Sequence, residues 1–192
     1  MLLVVGLGNP GREYDRSRHN VGFEVIEILG ERHRFPEARS EKGALVAKGR
    51  IRDADVLLVR PTTYMNLSGD AVGAIARFYK VEPAEVVVAH DELDFELGQV
   101  RVKIGGGHGG HNGVRSVIAH LGRDFTRVRI GVGKPPAGVE GADWVLSKVD
   151  QSTRRILDEA AARAADAVES VLGDGVQKAM NLFNRREELP PE

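Results

Sequence analysis

Five stretches of this 192-residue chain hold residue types that chemistry needs. In Arg18-His19-Asn20 the histidine stands just before a segment of helical spacing. The positive end of a helix lowers the pKa of such an imidazole and favours the neutral form, which a general base requires. Taken alone, His19 could equally cap or pack. His90-Asp91-Glu92-Leu93-Asp94 closes a short apolar run with the pattern of a buried strand. The carboxyl end of a strand is where open α/β sheets bind ligands, and an Asp there can orient an imidazole and stabilise its protonated form. The plainer reading is a set of surface carboxylates, yet three acids within four residues would repel one another.

Gly105-Gly106-Gly107-His108-Gly109-Gly110-His111-Asn112-Gly113 puts six glycines and two histidines into nine residues. Glycines let backbone N–H groups come close to a ligand. The Lys-Ser/Thr ending of a phosphate-binding Walker loop is missing. His108 and His111 could ligate a metal together with Asp91, but a loop does not fix such a pair as a helix would, and no metal is expected. Gly6-Leu7-Gly8-Asn9-Pro10-Gly11 matches the glycine pattern of dinucleotide-binding folds. Its context differs, because helical spacing begins only near Val21 and no acidic residue ends a second strand at the usual distance. A tight turn accounts for the glycines and leaves Asn9 without a reason. Pro61-Thr62-Thr63-Tyr64-Met65-Asn66-Leu67-Ser68-Gly69 reads as a loop with helix-capping residues. With no Cys and no G-x-S-x-G, the chain excludes a cysteine nucleophile, a thiolate metal site and a disulfide scaffold, and argues against a hydrolase serine elbow. No cofactor is expected.

These stretches need elements to position them. Leu2–Leu7, Ala44–Ile51, Val56–Arg60, Glu85–Ala89, Gln99–Ile104 and Arg127–Val132 read as strands, with a turn at Arg52–Asp55. Helices are expected from Val21 to about Arg34, through Tyr79 after a cap at Asn66 or Ser68, and over Val114–Leu121. A long C-terminal helix is marked by Ile156, Ala160, Ala164, Val168 and Val171, and a shorter one covers Val176–Phe183. Gly8–Asn20 and Pro135–Gly141 read as irregular. Strands alternating with helices define an α/β fold: a single domain over 1–184, with a twisted mixed, largely parallel sheet and helices on both faces. Residues 185–192 are expected to fray.

No stretch approaches the ~20 apolar residues that span a bilayer, and Met1–Leu7 is too short for a signal-peptide core. A cytoplasmic protein without membrane contact is expected. The net charge of −1 argues against strong nucleic-acid binding, but its distribution does not. Between residues 99 and 134 stand Arg101, Lys103, Arg115, Arg123, Arg127, Arg129 and Lys134 against one acid, Asp124. A phosphate backbone responds to such a patch rather than to the total.

Together the stretches resemble the bacterial-type peptidyl-tRNA hydrolase family. The matching residues are GLGNPGREY (6–14), RHNVGF (18–23), PTTYMNLSG (61–69), VVVAHDELD (86–94), GGGHGGHNG (105–113) and RVRIGVGKP (127–135), in order over residues 1 to about 135. The departures are small: Ser17 where Thr is common, and Tyr64 where Phe also occurs. The resemblance implies hydrolysis of the ester joining a peptide to the 3′-terminal ribose of tRNA, releasing tRNA from chains that left the ribosome. It implies His19 as the base that activates water, with Asp91 as its partner. It implies Asn9, Asn66 and Asn112 as residues holding the terminal nucleotide and peptide, flanked by Tyr14, Met65 and His111. Arg101, Lys103 and Arg129 would meet tRNA phosphates. The expected partner is the acceptor end of peptidyl-tRNA, with the enzyme a monomer that needs no protein partner. Two readings from other classes stay open: a catalytically silent RNA-binding protein on this fold, and a nucleotide-dependent oxidoreductase resting on the first glycine loop.

Overall fold

The innermost strands of the sheet are apolar on both faces, because helices cover both. The computed structural model describes residues 1–185. Its strands are β1 (Leu2–Gly6), β2 (Arg39–Glu41), β3 (Ala44–Ile51), β4 (Ala54–Pro61), β5 (Val86–Glu92), β6 (Val100–Ile104) and β7 (Thr126–Gly131). They form one sheet in the order β2-β3-β4-β1-β5-β7-β6. The middle four run parallel. β2, β3 and β6 join by antiparallel pairing.

The helices are α1 (Val21–Arg32), α2 (Ser68–Tyr79), α3 (Asn112–Leu121), α4 (Gly141–Leu146), α5 (Gln151–Asp174) and α6 (Val176–Phe183). Val4, Val87 and Val128 pack with Val25 and Leu29 of α1 and Leu157 and Ala164 of α5. Their strand neighbours Leu3, Val5 and Val88 point the other way, onto Val72 and Ile75 of α2 and Val114 and Val117 of α3. The expected mixed α/β sheet with helices on both faces is therefore the observed one. No helix of the described residues is long and apolar enough to cross a membrane.

After β1 the chain builds the β2–β4 side of the sheet, and after α2 it crosses to β5 on the other side. The carboxyl ends of β1 and β5 thus flank the switch point where α/β sheets open a crevice. The first glycine loop owes its composition to this corner. A Cβ on Gly6 would run into the carbonyl oxygen of Gly22, and one on Gly22 into the backbone of Leu7 and Ala89. A Cβ on Gly8 would meet the ring of Phe23. The glycines let α1 lie directly on two strands; they do not open onto a helix N-terminus as in a dinucleotide fold.

Several boundaries differ from the sequence reading. The three-residue β2 and the six-residue α4 were not expected. α5 starts at Gln151, before its first apolar landmark, because Asp150 accepts the Thr153 N–H at 2.8 Å. Neither Asn66 nor Ser68 caps α2; the Ser68 hydroxyl instead donates to the Met65 carbonyl at 2.7 Å. At the free edge of β6, the Asn184 side chain pairs with both backbone groups of Val102, at 2.8 Å each. The tail expected to fray lies, beyond Arg185, outside the described residues.

Candidate active site

Asp91, next to last in β5, lines the crevice and is 3% exposed. Its two carboxylate oxygens serve two histidines: Oδ2 lies 2.7 Å from His19 Nδ1, and Oδ1 lies 2.7 Å from His111 Nε2. His19 comes from the 3₁₀ turn Arg18–Asn20 that leads into α1, and His111 from the residue preceding α3. Three parts of the chain far apart in sequence thus meet on one carboxylate.

The hydrogen bonds fix where the protons sit. His111 Nδ1 accepts the backbone N–H groups of Gly113 and Val114, at 3.1 and 3.2 Å, and so caps α3. The ring proton is then at Nε2 and is donated to Asp91. His19 likewise donates Nδ1–H to the other oxygen, which leaves its Nε2 as the free nitrogen. Burial opposes ionisation of Asp91, but electrostatic attraction to His19 and His111 and the hydrogen bonds they donate outweigh it and hold the carboxyl well below the usual range. For His19, burial works to lower the pKa, yet the charge and hydrogen bond of Asp91 win, and the imidazole titrates above its ordinary value. This corrects the sequence reading: the adjacent carboxylate, not the helix dipole, sets the direction.

A third imidazole supports the pair. His90 is fully buried, and burial lowers its pKa to about 3. Its ring meets His111 edge-on at 5.0 Å, and Nδ1–H donates to the Asp91 carbonyl at 2.8 Å.

His19, His111 and Asp91 bring their donor atoms within 4.8 Å of one another. The protonation pattern is wrong for a metal, because His111 Nε2 carries the proton that its capping nitrogen cannot hold. His108 stands apart on the exposed loop, where its Nδ1 accepts the Gly110 N–H at 2.9 Å.

Asn9 is buried at the mouth of β1. Its Oδ1 accepts the Met65 N–H at 2.7 Å, so its amide NH₂ is left free to donate. Its backbone N–H and carbonyl are both taken by the Asn20 side chain, at 2.8 and 2.9 Å. Asn9, His19, Met65, Asn66, His111 and Asn112 all line one cleft of about 450 Å³. Asn66 and Asn112 sit exposed on its rim. Tyr14, in the turn Arg12–Tyr14, is not among the lining residues.

Sequence reasoning missed the far wall. Leu93 and the face of α4 bearing Ala142, Val145 and Leu146 form an apolar roof opposite the polar floor. A six-residue helix beginning at a glycine leaves little periodicity to read.

The basic segment divides in two. Arg101 lies directly across from Arg129 in the β6–β7 ladder, so both share a face with Lys103, as expected. Between them stands Phe95, whose ring lies 4.7 Å from the Arg129 guanidinium and 5.4 Å from that of Arg101. Arg127 behaves differently. It is 3% exposed, and its guanidinium donates to the carbonyls of Gly106 and Gly107. Its charge shapes the glycine loop and is withdrawn from the surface patch to which the sequence assigned it.

The fold and this cleft together define an α/β protein with a His–Asp–His site at the carboxyl ends of its parallel strands. The family model for peptidyl-tRNA hydrolase matches residues 3–191. The peptidyl-tRNA hydrolase of Chloroflexus aggregans is 46% identical, covering 96% of this chain and 99% of its own. That of Mycobacterium tuberculosis is 48% identical, covering 94% of this chain and 95% of its own. The crystal structure of peptidyl-tRNA hydrolase from Acinetobacter baumannii superposes with a TM-score of 0.90 at 39% identity, covering 96% of this chain and 94% of that one. The chain belongs to the peptidyl-tRNA hydrolase family.

Proposed function

We propose that this enzyme cleaves the ester between a peptide and the 3′-terminal ribose of tRNA with a water activated at His19 Nε2. Hydrolysis of peptidyl-tRNA follows from family membership. The observation that carries the mechanism is the Asp91 carboxylate bonded to two ring nitrogens, which leaves Nε2 as the free nitrogen of a base lining the cleft. As water attacks the carbonyl carbon, its proton passes to Nε2 and the anionic Asp91 stabilises the imidazolium. The tetrahedral intermediate then collapses: the carbon–ribose oxygen bond breaks, and the proton held by His19 goes to the departing oxygen. Peptide acid and free tRNA result. An ester needs no covalent enzyme intermediate, because its alkoxide leaves more readily than an amine.

The amide NH₂ of Asn9 is held in orientation by Met65 and supplies a pre-set donor to the developing oxyanion. Asn66 and Asn112 hold the peptide backbone and terminal nucleotide from the rim, with Met65, His111 and Tyr14 flanking. Donors to backbone groups are indifferent to peptide sequence, which suits a scavenger of unfinished chains. Arg101, Lys103 and Arg129 take up tRNA phosphates. We read the enzyme as a monomer that acts in the cytoplasm, where translation supplies its substrate.

The test is release of an N-blocked amino acid from its tRNA by purified enzyme, with EDTA and without nucleotide. Cleavage by the wild type and none by His19→Ala is the expected result. Equal cleavage by both would remove His19 from the mechanism, and tRNA binding without any cleavage would favour a silent RNA-binding protein.

A further inference from the structure

Three consecutive residues of one 3₁₀ turn are tied to three different elements. His19 reaches Asp91 on β5, and Asn20 reaches the backbone of Asn9 after β1. The side chain of Arg18 goes to α4. Its guanidinium carbon lies 3.6 Å from the centroid of the Trp144 ring, a stacked cation–π contact, and its Nη1 donates to Ser147 Oγ at 2.9 Å. Both partners are themselves fixed: Trp144 Nε1 donates to the Gly133 carbonyl at 3.0 Å, and the Ser147 hydroxyl to the Trp144 carbonyl at 2.7 Å. Arg18 is only 5% exposed. Burial disfavours its charge, which Asp150 partly offsets. A guanidinium kept in such a place, with a ring face as its main partner, calls for a reason.

The reason is on the other side of α4. Trp144 faces Arg18, while Ala142, Val145 and Leu146 of the same short helix roof the cleft. We propose that Arg18 is a positioning residue that clamps the roof helix to the turn bearing His19, so that the apolar roof and the His19 imidazole keep one fixed separation. A substrate held under the roof is thereby held in register with the base. The planar fork suits the task, since it stacks on the ring and donates sideways to Ser147 at once. A lysine ammonium keeps the charge and can do only one of these.

The proposal rests on the reading of His19 as the base, and its test separates the two. Trp144 is the chain's single tryptophan, so its fluorescence reports the clamp without any reference to catalysis. In Arg18→Lys, acrylamide should quench Trp144 more readily than in the wild type. The same variant should lose about tenfold in kcat/KM, through kcat and KM together, because a small misplacement of base against substrate is costly. The loss should be equal for full-length peptidyl-tRNA and for a short 3′ fragment, since both lie under the roof. A purely structural role would lower the amount of active enzyme and leave KM and the quenching of the folded fraction unchanged.

Trp144→Leu and Trp144→Phe test the clamp from the half-buried side, where folding is less at stake. The phenylalanine, which keeps a ring under the guanidinium, should lose less kcat/KM than the leucine. Unchanged quenching in Arg18→Lys, with or without a fall in rate, overturns the clamp, as does equal loss in the two Trp144 variants. If the wild type cleaved neither substrate, the reading of the function would fail, while the quenching comparison would still decide whether Arg18 holds the roof.

Discussion

His111 gives its proton to Asp91 at 2.7 Å while its other ring nitrogen closes the N-terminus of α3. One ring therefore joins a helix cap to the catalytic carboxylate, and the two duties can be separated by substitution. His111→Ala removes both and should cost about 0.5–2 kcal/mol of stability with a fall in kcat. His111→Asn keeps an acceptor for the backbone N–H groups but is too short to reach Asp91. It should recover most of the urea midpoint and little of the activity. Equal instability of the two variants would show that the cap contributes nothing.

His19→Ala should reduce kcat by at least about 100-fold, the lower end of what general-base catalysis supplies. Affinity for intact tRNA should stay close to that of the wild type, measured by filter binding. Asp91→Asn should be milder, because an amide oxygen still accepts from Nδ1 while the stabilising charge is lost. Wild-type turnover in Asp91→Asn would remove that residue from the mechanism.

The pH dependence has a defined sign. Because Asp91 raises the His19 pKa above 6.5, the acid limb of kcat/KM should have its midpoint above 6.5. In Asp91→Asn burial acts without its opponent, and the limb should move to lower pH even as the plateau falls. The raised pKa also means that protonated His19 stabilises the folded state fully below the unfolded value of 6.5, and that this contribution fades as pH rises through the folded pKa. The midpoint difference between wild type and His19→Ala should accordingly be larger at pH 5.5 than at pH 9. A difference independent of pH would contradict the pairing.

Arg127 should behave unlike the basic side chains around it. Replacing Arg101 and Lys103 with Ala should raise KM for full-length substrate and flatten its salt dependence, by about one unit of log–log slope for each phosphate left unneutralised. A short 3′ fragment should not register the change, and neither should kcat. Arg127→Ala, which releases the carbonyls of Gly106 and Gly107, should impair both substrates alike. If Arg127→Ala acted on full-length tRNA alone, its charge would belong to the patch after all.

Most of the sheet was legible because β1, β4 and β5 are continuous apolar runs closed by glycine, proline or charge, and Asp91 was legible because it stands at the close of one of them. What could not be read depends on which way a side chain turns or on very short elements. Arg127 and Arg129 have the same chemistry and spacing relative to the strand, yet one turns into the glycine loop and the other lies against Phe95. The direction of the His19 pKa needed the distance to Asp91, which lies 72 residues away. β2 has only three residues, and α4 has six with a glycine first, too few for either period to show. Arg18 carried no signal at all, since its partner Trp144 lies far along the chain in that unread helix.

The meeting of Gly6 with Gly22 bears on motion as well as packing. Side chains between a helix and a sheet act as a cushion and allow small sliding; here, at Gly22 in the first turn of α1, backbone rests on backbone. To open this corner the helix must leave the sheet altogether, so the amides of Leu7 and Ala89 should exchange with solvent only when the whole molecule unfolds. The His19 turn is attached directly to that helix. The base is thereby mounted on one of the least yielding parts of the protein, and any adjustment to peptides of differing bulk falls to the glycine loop.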